Sequence, residues 1–226
     1  MKRLLYSIIL LLGCGEVVDD TVQQQEAKPS PSVGKADDTQ PDEEPVSEPE
    51  GRYFSQWDNQ LYPGSTCQNT TVAMLLSRYG WEGSPDDITR EWGKDYAQSP
   101  RGLSNVFNYY AMIDDISWRL QPEMEGSLEE FRERLLRGVP TPVHGYFTSY
   151  GHVVLAMSFD GTHYTVMDPA GCWVQRFGGG YDPTCLSGDM IKYSKEAFES
   201  AVATSDGYSF LSMWFHRLIE THTVLP

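Results

Sequence analysis

Basic residues are scarce in this chain. Its 226 residues include 17 Lys and Arg against 32 Asp and Glu, a formal charge of −15. A surface of that sign repels a phosphate backbone, which excludes nucleic acid as a partner. Metal-ligand spacings are missing as well. Four cysteines and five histidines contain no Cys-x-x-C and no His-Glu-x-x-His, so a zinc ribbon and a zinc hydrolase both lack support, and His144, His163, His216 and His222 are read as surface or core residues. The run Gly178-Gly179-Gly180 has neither the lysine nor the helix of a phosphate loop and is read as a flexible stretch. No cofactor is implied, and no internal repeat is present. Asn69-Thr70-Thr71 has the form of a glycosylation sequon, placed by chance on a helix.

Long apolar runs are absent too. Leu4 to Leu12, preceded by Lys2-Arg3, falls short of the ~20 residues that span a bilayer and has the layout of an export signal. It ends Leu11-Leu12-Gly13-Cys14, which resembles the lipobox of bacterial lipoproteins. That resemblance implies removal of residues 1–13 and a lipid on Cys14, so that the chain meets the membrane only through its N-terminal lipid, at the outer membrane or cell surface. Residues 15–50 hold eleven Asp/Glu against two Lys, a net −9, with almost no large apolar side chains. Such a segment cannot offset its ordering entropy, and 14–51 is read as a lipidated, disordered tether. With Cys14 lipidated and Cys67 free, Cys172 and Cys185 remain, and an exported, oxidising setting favours a disulfide between them.

From residue 52 to 226 the composition is globular. Hydrophobic residues make up 40% of the whole chain and aromatics 12%, enough for one core. Ser84-Pro85-Asp86-Asp87 opens a helix expected to run to about Ala97, and a second is expected from Leu103 to Met112. Ser127-Leu128-Glu129-Glu130 reads as a capping box, followed by an apolar stripe of Phe131, Leu135 and Leu136 and a stop at Gly138. Val143–Phe147, Val153–Met157, Tyr164–Met167 and Phe210–Phe215 are short, β-branched and aromatic, the marks of strands. One more helix, capped by Ser194, fits between the last two. Helices first and a mostly antiparallel sheet afterwards is an α+β layout. Most tryptophans are assigned to the core, with Trp173 at the rim of a cleft.

Chemistry concentrates at three places. Cys67 enters a helix capped by Ser65 or Thr66, whose Val72, Leu75, Leu76 and Tyr79 share one face and whose end is marked by Gly80. In the first turn, unpaired N–H groups and the helix dipole favour a thiolate; the alternative is a small buried apolar cysteine. The second and third places are His152 and Asp168, on strands flanking Phe159-Asp160-Gly161. A two-residue turn would set them on opposite faces. A three-residue loop, with Ser158 opposite Thr162, sets them directly across from each other on one face. The second arrangement makes His152 a base for the Cys67 thiol and Asp168 the group that orients it.

Taken in order, Gln56-Trp57-Asp58-Asn59, Thr66-Cys67 with Ala73-Met74, Gly151-His152-Val153-Val154 and Asp168-Pro169-Ala170-Gly171 resemble the C39-like branch of papain-fold cysteine peptidases. The resemblance implies a papain-like fold in which a helical half bearing the cysteine packs on a sheet bearing histidine and acid. It implies hydrolysis of peptide bonds by Cys67, His152 and Asp168, with Gln56 donating to the oxyanion; Gln60 is the runner-up, its spacing to Cys67 nearer that of papain. Gln68 stands where many members have glycine and crowds the sulfur. No transporter segment follows, so coupling to a transporter is not expected. The substrate is expected to be a peptide or protein, or a cell-wall stem peptide cleaved by an amidase or endopeptidase on the same fold. A binding or adhesion module that has lost catalysis is the reading from a different class.

Overall fold

The computed structural model describes residues 51–203 and 213–221. Cys14, the 15–50 tether and the first residues of the strand expected at Phe210–Phe215 lie outside them. Helix α1 (Cys67–Ser77) is followed by α2 (Pro85–Trp92) and α3 (Pro100–Ile113), then β1 (Trp118–Gly126), α4 (Leu128–Leu136), β2 (Thr141–Gly145), β3 (His152–Phe159), β4 (His163–Met167), β5 (Ile191–Ser194), α5 (Lys195–Val202) and β6 (Met213–Glu220). The six strands form one antiparallel sheet in the order β1-β6-β2-β3-β4-β5. This is the expected α+β arrangement.

The sheet is buried on both faces. Val153, Leu155 and Met157 meet α1 and α3 on one side, while Val154, Ala156 and Val166 meet α4 and α5 on the other. Central strands covered twice carry apolar residues at every position, which is why His152–Phe159 does not alternate. The helical half expected on the sheet is therefore one of two layers. The two strands not foreseen, β1 and β5, are the edges of the sheet. Edge strands face solvent and carry charges: β1 reads Trp-Arg-Leu-Gln-Pro-Glu-Met-Glu-Gly and tolerates Pro122, and β5 has four residues.

Local signals set most helix ends. Ser84 and Asp87 form a full capping box at α2, and Gly93 (φ +74°) ends that helix five residues before the expected Ala97. At α4 only half a box forms, Ser127 Oγ accepting from the Glu130 N–H, and Leu136 is exposed while Phe131 and Leu135 are buried. Helix α1 departs from the one-faced pattern, for it is buried on all sides from Gln68 to Ser77. Its polar side chains bind inward: Asn69 Nδ2 donates to Thr89 Oγ1 and the Gly93 carbonyl, and Thr71 Oγ1 donates to the Val153 carbonyl at 3.1 Å. These bonds lock α1 to α2 and to β3.

The β3–β4 hairpin differs from the expected register. Ser158 lies opposite Thr165 and Phe159 opposite Tyr164, not Ser158 opposite Thr162. Asp160 explains the longer turn, because its Oδ1 accepts from the Thr162 and His163 N–H groups and from the Thr162 hydroxyl. Next comes a β-bulge at Met157, beyond which Ala156 faces Val166 and Leu155 faces Met167. The bulge decides the outcome for the site. Without the extra residue the ladder would place His152 and Asp168 on opposite faces; with it both continue the face of Ala156 and Val166 as diagonal neighbours.

Phe198 of α5 is fully buried and sits 4.4 Å (ring centroids) from Tyr164, 5.5 Å from Phe147 and 6.1 Å from Phe131. Truncation there leaves a cavity among rings that cannot collapse. Phe198→Ala is expected to lower stability by about 3–5 kcal/mol in urea unfolding; a loss under ~1 kcal/mol would show that α5 is not part of the cooperative core.

Candidate active site

The N-terminal segment holds the two halves of the site together. Tyr53 Oη donates to the Asp168 carbonyl (3.0 Å) and accepts from the Gly188 N–H (2.9 Å). The Gln56 N–H donates to the Pro169 carbonyl, and Trp57 Nε1 to the Ala170 carbonyl. Asn59 is buried and donates to both Thr66 Oγ1 and Thr70 Oγ1 at 2.9 Å, fixing the start of α1. Gln-Trp-Asp-Asn thus ties the cysteine helix to Asp-Pro-Ala-Gly. Gly188 permits this junction: a Cβ there would lie 2.0 Å from the Asp168 carbonyl oxygen.

Thr66 occupies the N-cap position of α1 but does not cap it with its side chain. Its hydroxyl donates back to the Tyr62 carbonyl while accepting from Asn59. The first-turn N–H groups are left for an anion. Cys67, half-buried and the free cysteine of the described residues, uses one of them, that of Gln68, together with the Val153 N–H from β3.

The structure brings Cys67, His152 and Asp168 together. His152 Nε2 lies 2.9 Å from Asp168 Oδ1. Its other nitrogen, Nδ1, is left for the Cys67 sulfur, whose charge acts on the ring. Burial alone would push the thiol up, but the His152 charge and hydrogen bond outweigh it and hold Cys67 below the usual thiol value. Burial likewise opposes a charged imidazole, yet Cys67 and Asp168 together raise His152 to about 10. Both shifts run in the direction of a thiolate–imidazolium pair.

Asp168 has no exposed surface. Its Oδ1 accepts from His152 and the Ala170 N–H, and its Oδ2 accepts at 2.9 Å from the hydroxyls of Tyr181 and Tyr193. Four donors satisfy a buried carboxylate that would otherwise be costly. The two tyrosines were not foreseen, because nothing in local spacing links residues 181 and 193 to Asp168. The expected disulfide is present, Cys172–Cys185 with Cα atoms 5.7 Å apart, closing the loop that carries Tyr181. Within it the three glycines are a paired turn rather than a flexible stretch: the Gly178 and Gly180 N–H groups donate to the Tyr146 and Phe147 carbonyls.

Gln56 is buried against the loop just ahead of Cys67, with Nε2 donating to the Pro63 carbonyl at 3.0 Å; the second proton of that amide remains. Gln60 is exposed, and its N–H donates to Asp86. Gln68 Nε2 donates to the Ser65 and Lys94 carbonyls, which leaves Oε1 facing the sulfur at 3.2 Å. That oxygen is an acceptor for a neutral thiol and not for a thiolate. Trp173 is buried with Phe147 and Tyr193, in the core and not at the cleft rim.

A cavity of about 370 Å³ opens over the sulfur, lined by Ser65, Cys67, Gln98, His144, Gly151 and His152. Behind it stands a buried polar chain in which His144 Nε2 lies 3.0 Å from His216 Nε2, and His216 Nδ1 lies 3.0 Å from Ser104 Oγ. Desolvation and the nearby His152 charge lower His144 to about 4, and burial and His144 hold His216 well below the usual histidine value. Burial disfavours charge on both rings, whereas at His152 the sulfur and the Asp168 carboxylate outweigh it.

Coupling between the two side chains has a signature in pH. Cys67 alkylation by iodoacetamide should follow an acid limb centred below 9 and hold a plateau until His152 loses its proton near pH 10. Replacing His152 with alanine removes the largest influences that lower the thiol and leaves burial opposed only by the Val153 and Gln68 N–H groups. The acid limb should then move upward, slowing the reaction at neutral pH by roughly tenfold. An unchanged limb in His152→Ala would show that the two side chains are not coupled.

Residues 50–201 match the model of the Peptidase_C39 like family. No curated protein matches the chain. Among solved structures, a double glycine motif protease from an AMS/PCAT transporter, in complex with its leader peptide, aligns at 13% identity over 78% of this chain and 98% of that one, with a TM-score of 0.47. The peptidase domain of Streptococcus ComA, a bi-functional ABC transporter, aligns at 13% identity over 72% and 96%, TM-score 0.47. A C39-like peptidase from Bacillus anthracis aligns at 16% identity over 72% and 92%, TM-score 0.48. With most of its length matched by the family model, the chain belongs to the C39-like family of cysteine peptidases.

Proposed function

We propose that this cysteine peptidase works through a Cys67–His152–Asp168 triad, outside the cytoplasm, tethered to a bacterial membrane by a lipid on Cys14. The observation that carries the reading is the position of the His152 ring, with Nε2 on the Asp168 carboxylate and Nδ1 left for the Cys67 sulfur. The Cys67 thiolate attacks the scissile carbonyl carbon. The oxyanion is received by the Cys67 N–H, in the uncapped first turn, and by the remaining amide proton of Gln56. Removing one such donor typically costs 10²–10³-fold in rate, or about 3–4 kcal/mol. Imidazolium His152 then protonates the departing amine. Water enters, loses its proton to His152 and releases the acyl group. Asp168, bonded to Nε2, fixes the orientation of the ring.

Export is supported by the signal-like start of the sequence and by the Cys172–Cys185 disulfide, which a reducing cytosol would not favour. Residues 15–50, with a net charge of −9, serve as the tether in this reading. The substrate is a peptide or protein.

The test is hydrolysis of labelled casein and of purified cell wall by the full chain, with Cys67→Ala and Asp168→Asn beside it. Casein cleavage blocked by iodoacetamide is expected, with Cys67→Ala inactive and Asp168→Asn reduced by roughly 10²–10⁴-fold. Release from cell wall alone would reassign the substrate to stem peptides. Wild-type hydrolysis equal to that of Cys67→Ala would leave a binding module.

A further inference from the structure

Asp168 takes two hydroxyl donors on one oxygen, and the two come from different kinds of structure. Tyr193 lies on β5 with its ring in the core. Tyr181 lies on the loop that the Cys172–Cys185 disulfide closes, with its hydroxyl 2.9 Å from Asp168 Oδ2 and its ring edge-on to His152 at 5.2 Å between centroids. One side chain thus touches both partners of the His152–Asp168 hydrogen bond. The loop also pairs with the segment that leads into His152: Thr148 bridges Gly179, and the Phe147 carbonyl accepts from the Gly180 N–H. Its base is closed by the disulfide and by the Asp182 N–H donating to the Cys172 carbonyl. Burial and the Asp168 charge raise the Tyr181 hydroxyl well above the usual phenol value, so it remains a donor at every working pH.

We propose that Tyr181 is a positioning residue for the Asp168–His152 pair and that the Cys172–Cys185 disulfide holds it in place, so that the reactivity of Cys67 depends on a bond with which it has no contact. A carboxylate gripped by two hydroxyls cannot rotate about its last torsion, and the ring covers the His152–Asp168 bond from water. Loss of the hydroxyl frees one oxygen; loss of the disulfide frees the loop that delivers it. Either way Asp168 supports the imidazolium less well and the Cys67 thiol loses less of its proton at neutral pH. This inference rests on the triad reading above and names what holds it in alignment.

The experiment measures Cys67 alkylation against pH in the full chain, with each variant's melting temperature recorded. Tyr181→Phe keeps the ring and removes only the hydroxyl. Its melting temperature should stay close to wild type, while alkylation at neutral pH slows roughly three- to thirtyfold and the acid limb moves upward. Cys172→Ala with Cys185→Ala should move the limb the same way. Adding Tyr181→Phe to that pair should slow it little further, because both changes act through one contact. A Tyr181→Phe limb superimposed on wild type overturns the proposal. So does strict additivity of the two changes, which would make the disulfide a stabiliser unconnected with Tyr181. The wild-type curve is a separate readout: if it matches an unperturbed thiol, the triad reading itself fails, whatever the variants do.

Discussion

The position of one imidazole ring governs this structure. His152 can meet Cys67 on one side and Asp168 on the other only if histidine and acid share a face of the β3–β4 hairpin, and the hairpin as it leaves its turn does not provide that. The extra residue at Met157 reverses the facing of everything beyond it, so Val153, Leu155 and Met157 pack on α1 and α3 while His152 points with Val154 and Ala156. The α1–β3 bond from Thr71 to the Val153 carbonyl then fixes the height of Cys67 against the ring. A slip of one residue in either strand would leave the fold's hydrophobic content unchanged and the site dismantled.

Electrostatics explains why so many polar groups are buried around that ring. A charged imidazole in the interior needs an ionised partner on each side, and the buried partner carboxylate needs its own donors. Asp168 obtains four, from β3, β5, the loop after Pro169 and the disulfide loop, so the acid is also a point where distant segments meet. The Gln-Trp-Asp-Asn segment contributes no charge. It ties the 168–170 backbone to the start of α1, which places the thiol and the acid in one frame.

Much of this was legible in the sequence, and what escaped has physical reasons. The cysteine in a first helical turn, the Gly-His and Asp-Pro pairs and the Cys172–Cys185 pairing were readable because each depends on neighbours in the chain or on simple counting. Strands β1 and β5 were missed because edge strands lack the apolar signal. The facing of His152 and Asp168 was inferred correctly from the chemistry, but through the wrong loop: Asp160 builds a longer turn, and a bulge, which leaves no mark in composition, restores the face. Tyr181 and Tyr193 could not be found at all, since their link to Asp168 exists only once the sheet is assembled and the loop is closed. The Ser104–His216–His144 chain is of the same kind, spread over three elements that only tertiary packing unites.

The most direct measurement is the protonation state of the His152 ring, followed by nitrogen-15 NMR as pH is raised, in the wild-type protein and in Cys67→Ala. The ring should remain an imidazolium at pH 8 and titrate near 10, and loss of the thiolate should bring its titration down markedly, because the sulfur's charge is a main support of its proton. A His152 that is already neutral at pH 8, with the same titration in both proteins, would contradict the coupling of sulfur and imidazole on which the whole account stands.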